Sequence, residues 1–342
     1  MLPSTVEEFK TKEYWNKFFE KRGGNTFEWY GSYKTYKSVL NKEIPKKNRI
    51  LIAGCGNSLM GEEMYDDGYE SITSVDYSEK VLSEMEARKK GRKITYTQMD
   101  LADLKFPEES FDIIIDKATL DATFCNEEGD TLTIVKKIWE NYFRVLAHKG
   151  RYICITLLQQ QVLSGILSYF MHGNNNSLFA DHAFIVRIYE SEADLIIHPE
   201  QKHAPFVLII EKSKLDLTNE GSKKIKEMLS KSIYYISQSS EMLTIDKTIK
   251  KIKERQMFGY VLSQSKNLVK GQRFHIECYD PNSSISLPKY KITVVDSKNE
   301  KNLRKKLCGV FIAPLGREND YLFATEEGNF YLQSEYFFFY YY

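Results

Sequence analysis

Acids and glycines stand at the ends of successive apolar runs, at spacings that suit a bound nucleoside. The run Arg49-Ile-Leu-Ile-Ala-Gly54 leads into Gly54-Cys55-Gly56-Asn57-Ser58. Glycine at such a turn lets the backbone approach a ligand that a Cβ would hold off. The second run ends on Asp76, followed by Tyr77 and Ser78. An acid there can accept hydrogen bonds from both hydroxyls of a ribose lying across the strand ends. After the third run comes Asp100-Leu101, where the carboxylate can receive an adenine amino group and the Leu101 N–H can face the ring. Asp116-Lys117 closes the fourth run, toward the reacting end of the ligand. Each signal has a plainer reading: Gly-x-Gly is a tight turn, and Asp76 and Asp100 are helix or loop caps. Four of them at four successive strand ends favour a cofactor site over unrelated caps.

Two cofactor classes use this geometry, and the glycine count separates them. A pyrophosphate dinucleotide calls for Gly-x-Gly-x-x-Gly, whereas the third glycine position here is Leu59 and the next glycine is Gly61. S-adenosylmethionine (SAM) has no phosphate to place, and its sulfonium cation favours carboxylates and aromatic faces. The expected SAM-binding residues are Trp29, Gly54, Cys55, Gly56, Asn57, Asp76, Tyr77, Ser78, Asp100, Leu101, Asp116 and Lys117.

Positioning these residues requires an α/β fold. Apolar runs at Ile72–Asp76, Ile94–Gln98, Phe111–Ile115 and Arg151–Thr156 alternate with helical spacing at Leu59–Asp67, Ser78–Lys90 and Thr131–Leu146. Short apolar runs read as strands buried on both faces, and the alternation predicts right-handed βαβ units. On the third helix Leu132, Val135, Ile138, Trp139, Phe143 and Leu146 form one apolar face. A helix at Leu158–Phe170, then strands at Ala183–Tyr189 and Pro205–Glu211, predict an antiparallel edge. The expectation is a doubly wound, seven-stranded Rossmann-like sheet over residues 1–213. A helical linker over 214–270 follows, with helices near Lys223–Ser230 and Thr244–Arg255. A smaller α+β, β-rich module over 271–330 is expected next, with strands at Tyr290–Val295, Val310–Ala313 and Tyr321–Phe323. Residues 331–342 read as an aromatic low-complexity tail, a native end or a truncated reading frame.

Composition narrows the partners. The chain has 342 residues and a formal net charge of +1, which implies no general attraction to nucleic acid or anionic membrane. No run approaches the ~18 apolar residues of a membrane span. The start has neither an apolar signal core nor an Arg/Ser-rich transit pattern. Cys55, Cys125, Cys154, Cys278 and Cys308 are widely spaced without a Cys-x-x-Cys pair, and the six histidines are scattered, so no metal site is expected. Reduced thiols fit a cytoplasmic setting.

Tyr14-Trp15-Asn16-Lys17-Phe18-Phe19, Phe27-Glu28-Trp29-Tyr30-Gly31, Gly54-Cys55-Gly56-Asn57-Ser58 and Asp116-Lys117-Ala118-Thr119-Leu120-Asp121-Ala122 together resemble class I SAM-dependent methyltransferases. Within that class they resemble the lysine methyltransferases of non-histone proteins, specifically those of translation elongation factor 1-alpha. The resemblance reaches Tyr290–Ser297 and Val310–Glu318, and so covers nearly the whole chain. It implies a protein substrate, elongation factor 1-alpha, and transfer of a methyl group from SAM to a lysine. Two departures stand out. The family pattern Asp-Lys-Gly-Thr reads Asp116-Lys117-Ala118-Thr119 here, which is strained if residue 118 takes a positive φ. The chain also stops at Tyr342, so the amino-terminal methylation done by a second domain in such enzymes is not carried over.

A lysine pKa of about 10.4 leaves the amine protonated at pH 7, a handicap of roughly 4–5 kcal/mol in available nucleophile. Burial in an apolar, aromatic channel disfavours the ammonium, and oxygen acceptors can orient the remaining N–H bonds. Trp29 and Tyr30 are expected to line that channel, with Asp116 and Asp121 as candidate catalytic acids that orient the amine or take its proton through water. Trp29 and Tyr30 also read as an ordinary hydrophobic lid, and Asp121 as a helix cap. Lys117 is expected to pair with a carboxylate rather than react. Asn/Asp-Pro-Pro-Tyr/Phe, used for adenine or glutamine amino groups, and Pro-Cys, used for cytosine C5, are both missing. A small-molecule O- or N-methyltransferase and an inactive SAM-binding interaction module remain as alternatives.

Overall fold

The protein is described by a computed structural model. It describes residues 8–9, 11–125, 130–171, 181–190, 205–216, 218–237, 240–266, 273–279, 288–296 and 308–314, with backbone only from 257 onward. The chain divides into two compact units, Met1–Arg255 and Gln256–Tyr342.

In the first unit, strands β1 (Ile50–Ala53), β2 (Ile72–Asp76), β3 (Ile94–Gln98), β4 (Phe111–Lys117), β5 (Leu146–Thr156), β6 (His182–Glu190) and β7 (Phe206–Lys214) join β8 (Ser232–Ile236) and β9 (Ser240–Thr244). They form one nine-stranded sheet in the order β3-β2-β1-β4-β5-β7-β6-β8-β9. The first five strands pair in parallel, and β7 returns antiparallel to both β5 and β6. Seven strands match the expected Rossmann-like set; β8 and β9 add two more. Ser232–Ile236 and Ser240–Thr244, expected within a helical linker, instead extend the sheet, with β8 parallel to β6 and β9 antiparallel to β8.

Helices cover both faces. They are α1 (Lys12–Arg22), α2 (Tyr33–Glu43), α3 (Met60–Asp66), α4 (Glu79–Arg88), α5 (Thr119–Thr123), α6 (Thr131–Val145), α7 (Gln160–Ile166), α8 (Glu220–Leu229) and α9 (Ile245–Lys266). The period of two along each strand sends alternate side chains to opposite cores. Ile113, Ile115, Ile153 and Ile155 pack with Phe18, Phe19, Tyr36 and Leu40 on one side. Ile114, Tyr152 and Cys154 pack with Val135, Trp139, Tyr142 and Phe143 of α6 on the other.

Several local rules set the ends. Thr11 caps α1 by accepting the Tyr14 N–H, and Gly23 terminates it in the left-handed region at φ 56°. Leu132, expected on the buried face of α6, is 37% exposed, and Tyr142 takes a core place instead. The expected 158–170 helix is a short α7 followed by a π turn at Leu167–Met171. α2 is fastened to the sheet by charge: Glu43 faces Arg187 at 3.2 Å and Arg151 at 3.4 Å, and both arginines reach Glu211.

The second unit contains a three-stranded antiparallel sheet, β10 (Arg273–Tyr279), β11 (Pro288–Asp296) and β12 (Cys308–Pro314), in that order. Two of these cover the expected strands at 290–295 and 310–313. The expected strand at 321–323 and the aromatic tail lie outside the described residues.

Candidate functional site

The strand order reverses between β1 and β4, since the chain builds β1-β2-β3 to one side and β4-β5 to the other. In such sheets ligands bind in the crevice at the carboxyl ends of the strands beside that switch. A cavity of about 660 Å³ opens there, lined by residues from the ends of β1 to β4 and from α1, α5 and α6. That size lies within the range of cofactor sites.

The glycine turn forms its floor. Gly54 has φ 62° and Gly56 φ 48°, and a Cβ on Gly54 would collide with the Thr119 side chain. Thr119 closes this corner by donating its hydroxyl to the Ala53 and Gly54 carbonyls, each at 3.2 Å. At the end of β2, Asp76 is buried; its carboxylate accepts the Gly56 N–H at 2.9 Å and the Ser78 N–H at 2.9 Å while lining the cavity. Burial pushes its pKa up, and these N–H bonds oppose the rise. Met99, Asp100, Leu101 and Ala102 form the adjoining wall, where Asp100 also caps the short 3₁₀ turn by accepting the Ala102 N–H at 2.8 Å.

The structure brings most of the expected residues together. Trp29, Tyr30, Gly54, Cys55, Gly56, Asn57, Asp76, Tyr77, Asp100, Leu101, Lys117 and Asp121 all line the cavity. Cys55 is buried and its thiol is pushed well up by desolvation, as a packing residue and not a nucleophile would be. Two expectations need correction. Ser78 lies off the cavity: it caps α4 through the Val81 N–H and bonds Asn16 Oδ1 at 2.6 Å. Asp116 lies off it too. The period of β4 turns its side chain with Ile114 toward α6, where it accepts the Leu120 N–H at 3.0 Å and the hydroxyls of Tyr142 and Tyr152 at 3.3 Å each. Asp116 is thus buried, with both carboxylate oxygens partnered.

Asp121, on the first turn of α5, differs. It is 8% exposed and lines the cavity. Its Oδ1 accepts the Thr156 hydroxyl at 2.9 Å, and the carboxylate also accepts the Tyr30 hydroxyl and the Leu157 N–H. Burial is the main cause of a pKa raised to about 7, and the negative charge of Asp116 adds to it. The Thr156 bond and the nearby Tyr30 hydroxyl pull the other way. Ala118 makes the turn between the two acids at φ 66°, the positive value at which an alanine is strained.

Sequence reasoning missed Glu28. It lies in an expected motif without an assigned role, and it pairs with Lys117 at 2.7 Å, the carboxylate partner foreseen for that lysine. Among the described residues no cluster of three or more His, Cys, Asp or Glu could hold a metal, and no helix is long and apolar enough to cross a membrane.

The lining fits a cationic nucleoside. Asp76 and Asp100 stand near the strand ends where a ribose and an adenine amino group need acceptors, and Asp121 lines the cavity with Trp29 and Tyr30. Of the two lysines that line the cavity, Lys117 is paired with Glu28, and the turn lacks the third glycine of a phosphate cradle.

Comparison with known proteins agrees with the geometry. Residues 51–154 match the model of the methyltransferase domain family. Over 332 residues, 96% of the chain, it is 32% identical to the eEF1A lysine and N-terminal methyltransferase of Bos taurus, covering 46% of that protein. It is 30% identical over 163 residues to EEF1A lysine methyltransferase 4 of Mus musculus, covering 45% of this chain and 64% of that one. The chain thus spans about half the length of the curated dual methyltransferases it matches. A SAM-dependent methyltransferase structure from Methanosarcina mazei aligns with a TM-score of 0.36 at 17% identity, covering 52% of this chain and 98% of that one.

Proposed function

We propose that the chain is a SAM-dependent protein-lysine N-methyltransferase acting on translation elongation factor 1-alpha in the cytoplasm. One observation carries the chemistry: a nine-tenths buried carboxylate, Asp121, lines the same cavity as Trp29 and Tyr30, and burial raises its pKa to about 7. The likeness to the eEF1A lysine and N-terminal methyltransferases over 96% of the chain supports the substrate.

SAM supplies an activated methyl group, and the chain's residues do the rest. Asp76 and Asp100 hold the nucleoside end. Trp29 and Tyr30 exclude water around the incoming amine and disfavour its ammonium form. The Asp121 carboxylate orients the amine and takes up its proton directly or through a water, with a pKa of about 7 that suits exchange at neutral pH.

Mass spectrometry of purified elongation factor 1-alpha after incubation with the chain and SAM tests the proposal. A mass increase of whole methyl groups on one lysine is the expected result; an unmodified factor beside methylated small molecules in the same extract rejects the substrate. Titration calorimetry tests the cofactor separately. Asp76→Ala removes a ribose acceptor and is expected to weaken SAM binding roughly 10- to 100-fold, about 1.5–3 kcal/mol. Unchanged affinity in a folded variant rejects the assigned role of Asp76.

A further inference from the structure

Residues 25–31, between α1 and α2, run across the cavity as a strap that contributes Phe27, Trp29 and Tyr30 to its wall. The strap is held down by polar contacts that converge on Glu28. Its Oε1 accepts the Leu59 N–H at 2.6 Å, and its Oε2 accepts the Ser58 hydroxyl at 2.8 Å and faces Lys117 Nζ at 2.7 Å. Lys117 also donates to the Trp29 carbonyl at 2.9 Å, and Asn57 Nδ2 donates to the Asn25 carbonyl at 2.8 Å. One carboxylate therefore joins the strap, the glycine turn and the end of β4.

The strap is also strained where it meets the cavity. Tyr30 has φ 62°, and Gly31, at φ 105°, has no room for a Cβ beside Thr35. The Tyr36 hydroxyl donates to the Tyr30 carbonyl. A bulky residue stays in this conformation only where its surroundings over-determine it, and such strain collects at ligand clamps. The ion pair is mostly out of water, with 6% and 19% of the Lys117 and Glu28 side chains exposed, so removing one partner strands the other's charge.

We propose that Glu28 is a positioning residue: with Lys117 it latches the Trp29–Tyr30 wall over the cavity and thereby sets how long the cofactor stays bound. The proposal rests on the SAM reading above. Glu28 does not touch the reacting atoms; it acts through Lys117, Ser58 and Leu59.

Hydrogen exchange of the ligand-free protein and stopped-flow SAM dissociation test it on Glu28→Gln, Glu28→Asp and the double variant Glu28→Gln/Lys117→Gln. In Glu28→Gln, amides of residues 25–31 are expected to exchange about tenfold faster, and SAM to dissociate about tenfold faster. KM for SAM rises by more than kcat falls, whereas a merely structural role would lower stability without that split. Glu28→Asp, which keeps the charge, recovers part of the loss. The double variant strands no charge, so it keeps the fold and decides the question if Glu28→Gln does not fold. Wild-type protein that binds SAM, beside a double variant whose strap exchange and SAM dissociation stay within about twofold, overturns the latch alone. Wild-type protein that binds no SAM overturns the cofactor reading beneath it.

Discussion

Asp116 and Asp121 come from one short stretch and end in opposite settings. Behind β4, both Asp116 oxygens are partnered, by the Leu120 N–H and by two tyrosine hydroxyls. At the cavity, Asp121 accepts the Thr156 hydroxyl and the hydroxyl of Tyr30, a residue of the cavity wall. Burial raises both acids, Asp116 to about 6 and Asp121 to about 7. The same physical cause serves different ends, because position decides whether a buried carboxylate can serve a ligand: Asp121 lines the cavity and Asp116 does not. A perturbed pKa alone would have ranked the two almost equally.

The largest effect that can break this comparison is on turnover. Asp121→Asn keeps the shape and the Thr156 contact but cannot accept a proton, so kcat/KM for the protein substrate is expected to fall about 10²- to 10⁴-fold. The rise of wild-type kcat/KM through pH ~7 should disappear with it. Activity of Asp121→Asn within a few-fold of wild type, in steady-state assays from pH 6 to 9, removes Asp121 from the mechanism.

Next in size is a stability effect assigned to Asp116. Its folded pKa of about 6 stands above the ordinary aspartate value of 3.8, so between those pH values the native state holds a proton that the unfolded chain has released. The unfolded state binds fewer protons there, and stability falls as pH rises through that window and then levels off. The contribution is on the order of 3 kcal/mol, and Asp116→Asn should abolish it while Asp121→Asn flattens the slope that continues toward pH ~7. Urea unfolding from pH 4 to 8 measures both slopes. A wild-type curve that rises with pH across this window contradicts the burial-driven shift.

Much of this site was legible in the sequence because its first half is local. Parallel strands buried on both faces read as apolar runs, and the glycine turn and Asp76 sit at their ends. The setting of Asp116 was misread: its place at the end of β4 suggested the cavity, whereas its side chain shares the face of Ile114 and is taken up by Leu120, Tyr142 and Tyr152. Glu28 was not legible, since its partners lie 30, 31 and 89 residues away and no spacing rule links them. β8 and β9 were hidden for another reason. Ser240–Thr244 is an exposed edge strand with little apolar alternation, so pairing with β8 and not its own pattern makes it a strand.

The smallest effect concerns the turn that separates the two acids. Ala118 sits at φ 66° and ψ −5°, directly before α5, and this left-handed step sends Asp116 behind the sheet and Asp121 into the cavity. An L-residue there costs about 1–2 kcal/mol relative to the right-handed region, and glycine avoids this at an entropic cost of roughly 0.5–1 kcal/mol. Ala118→Gly should therefore stabilise the first unit by about 0.5–1 kcal/mol, or ~1–4 °C in Tm for a unit of this size. Calorimetry distinguishes this from the opposite case, a lower Tm, in which the buried methyl contributes more by packing than the turn loses by strain. A lower Tm would mean that the divergence of the two acids is held by contacts around residue 118 and not resisted by its own backbone.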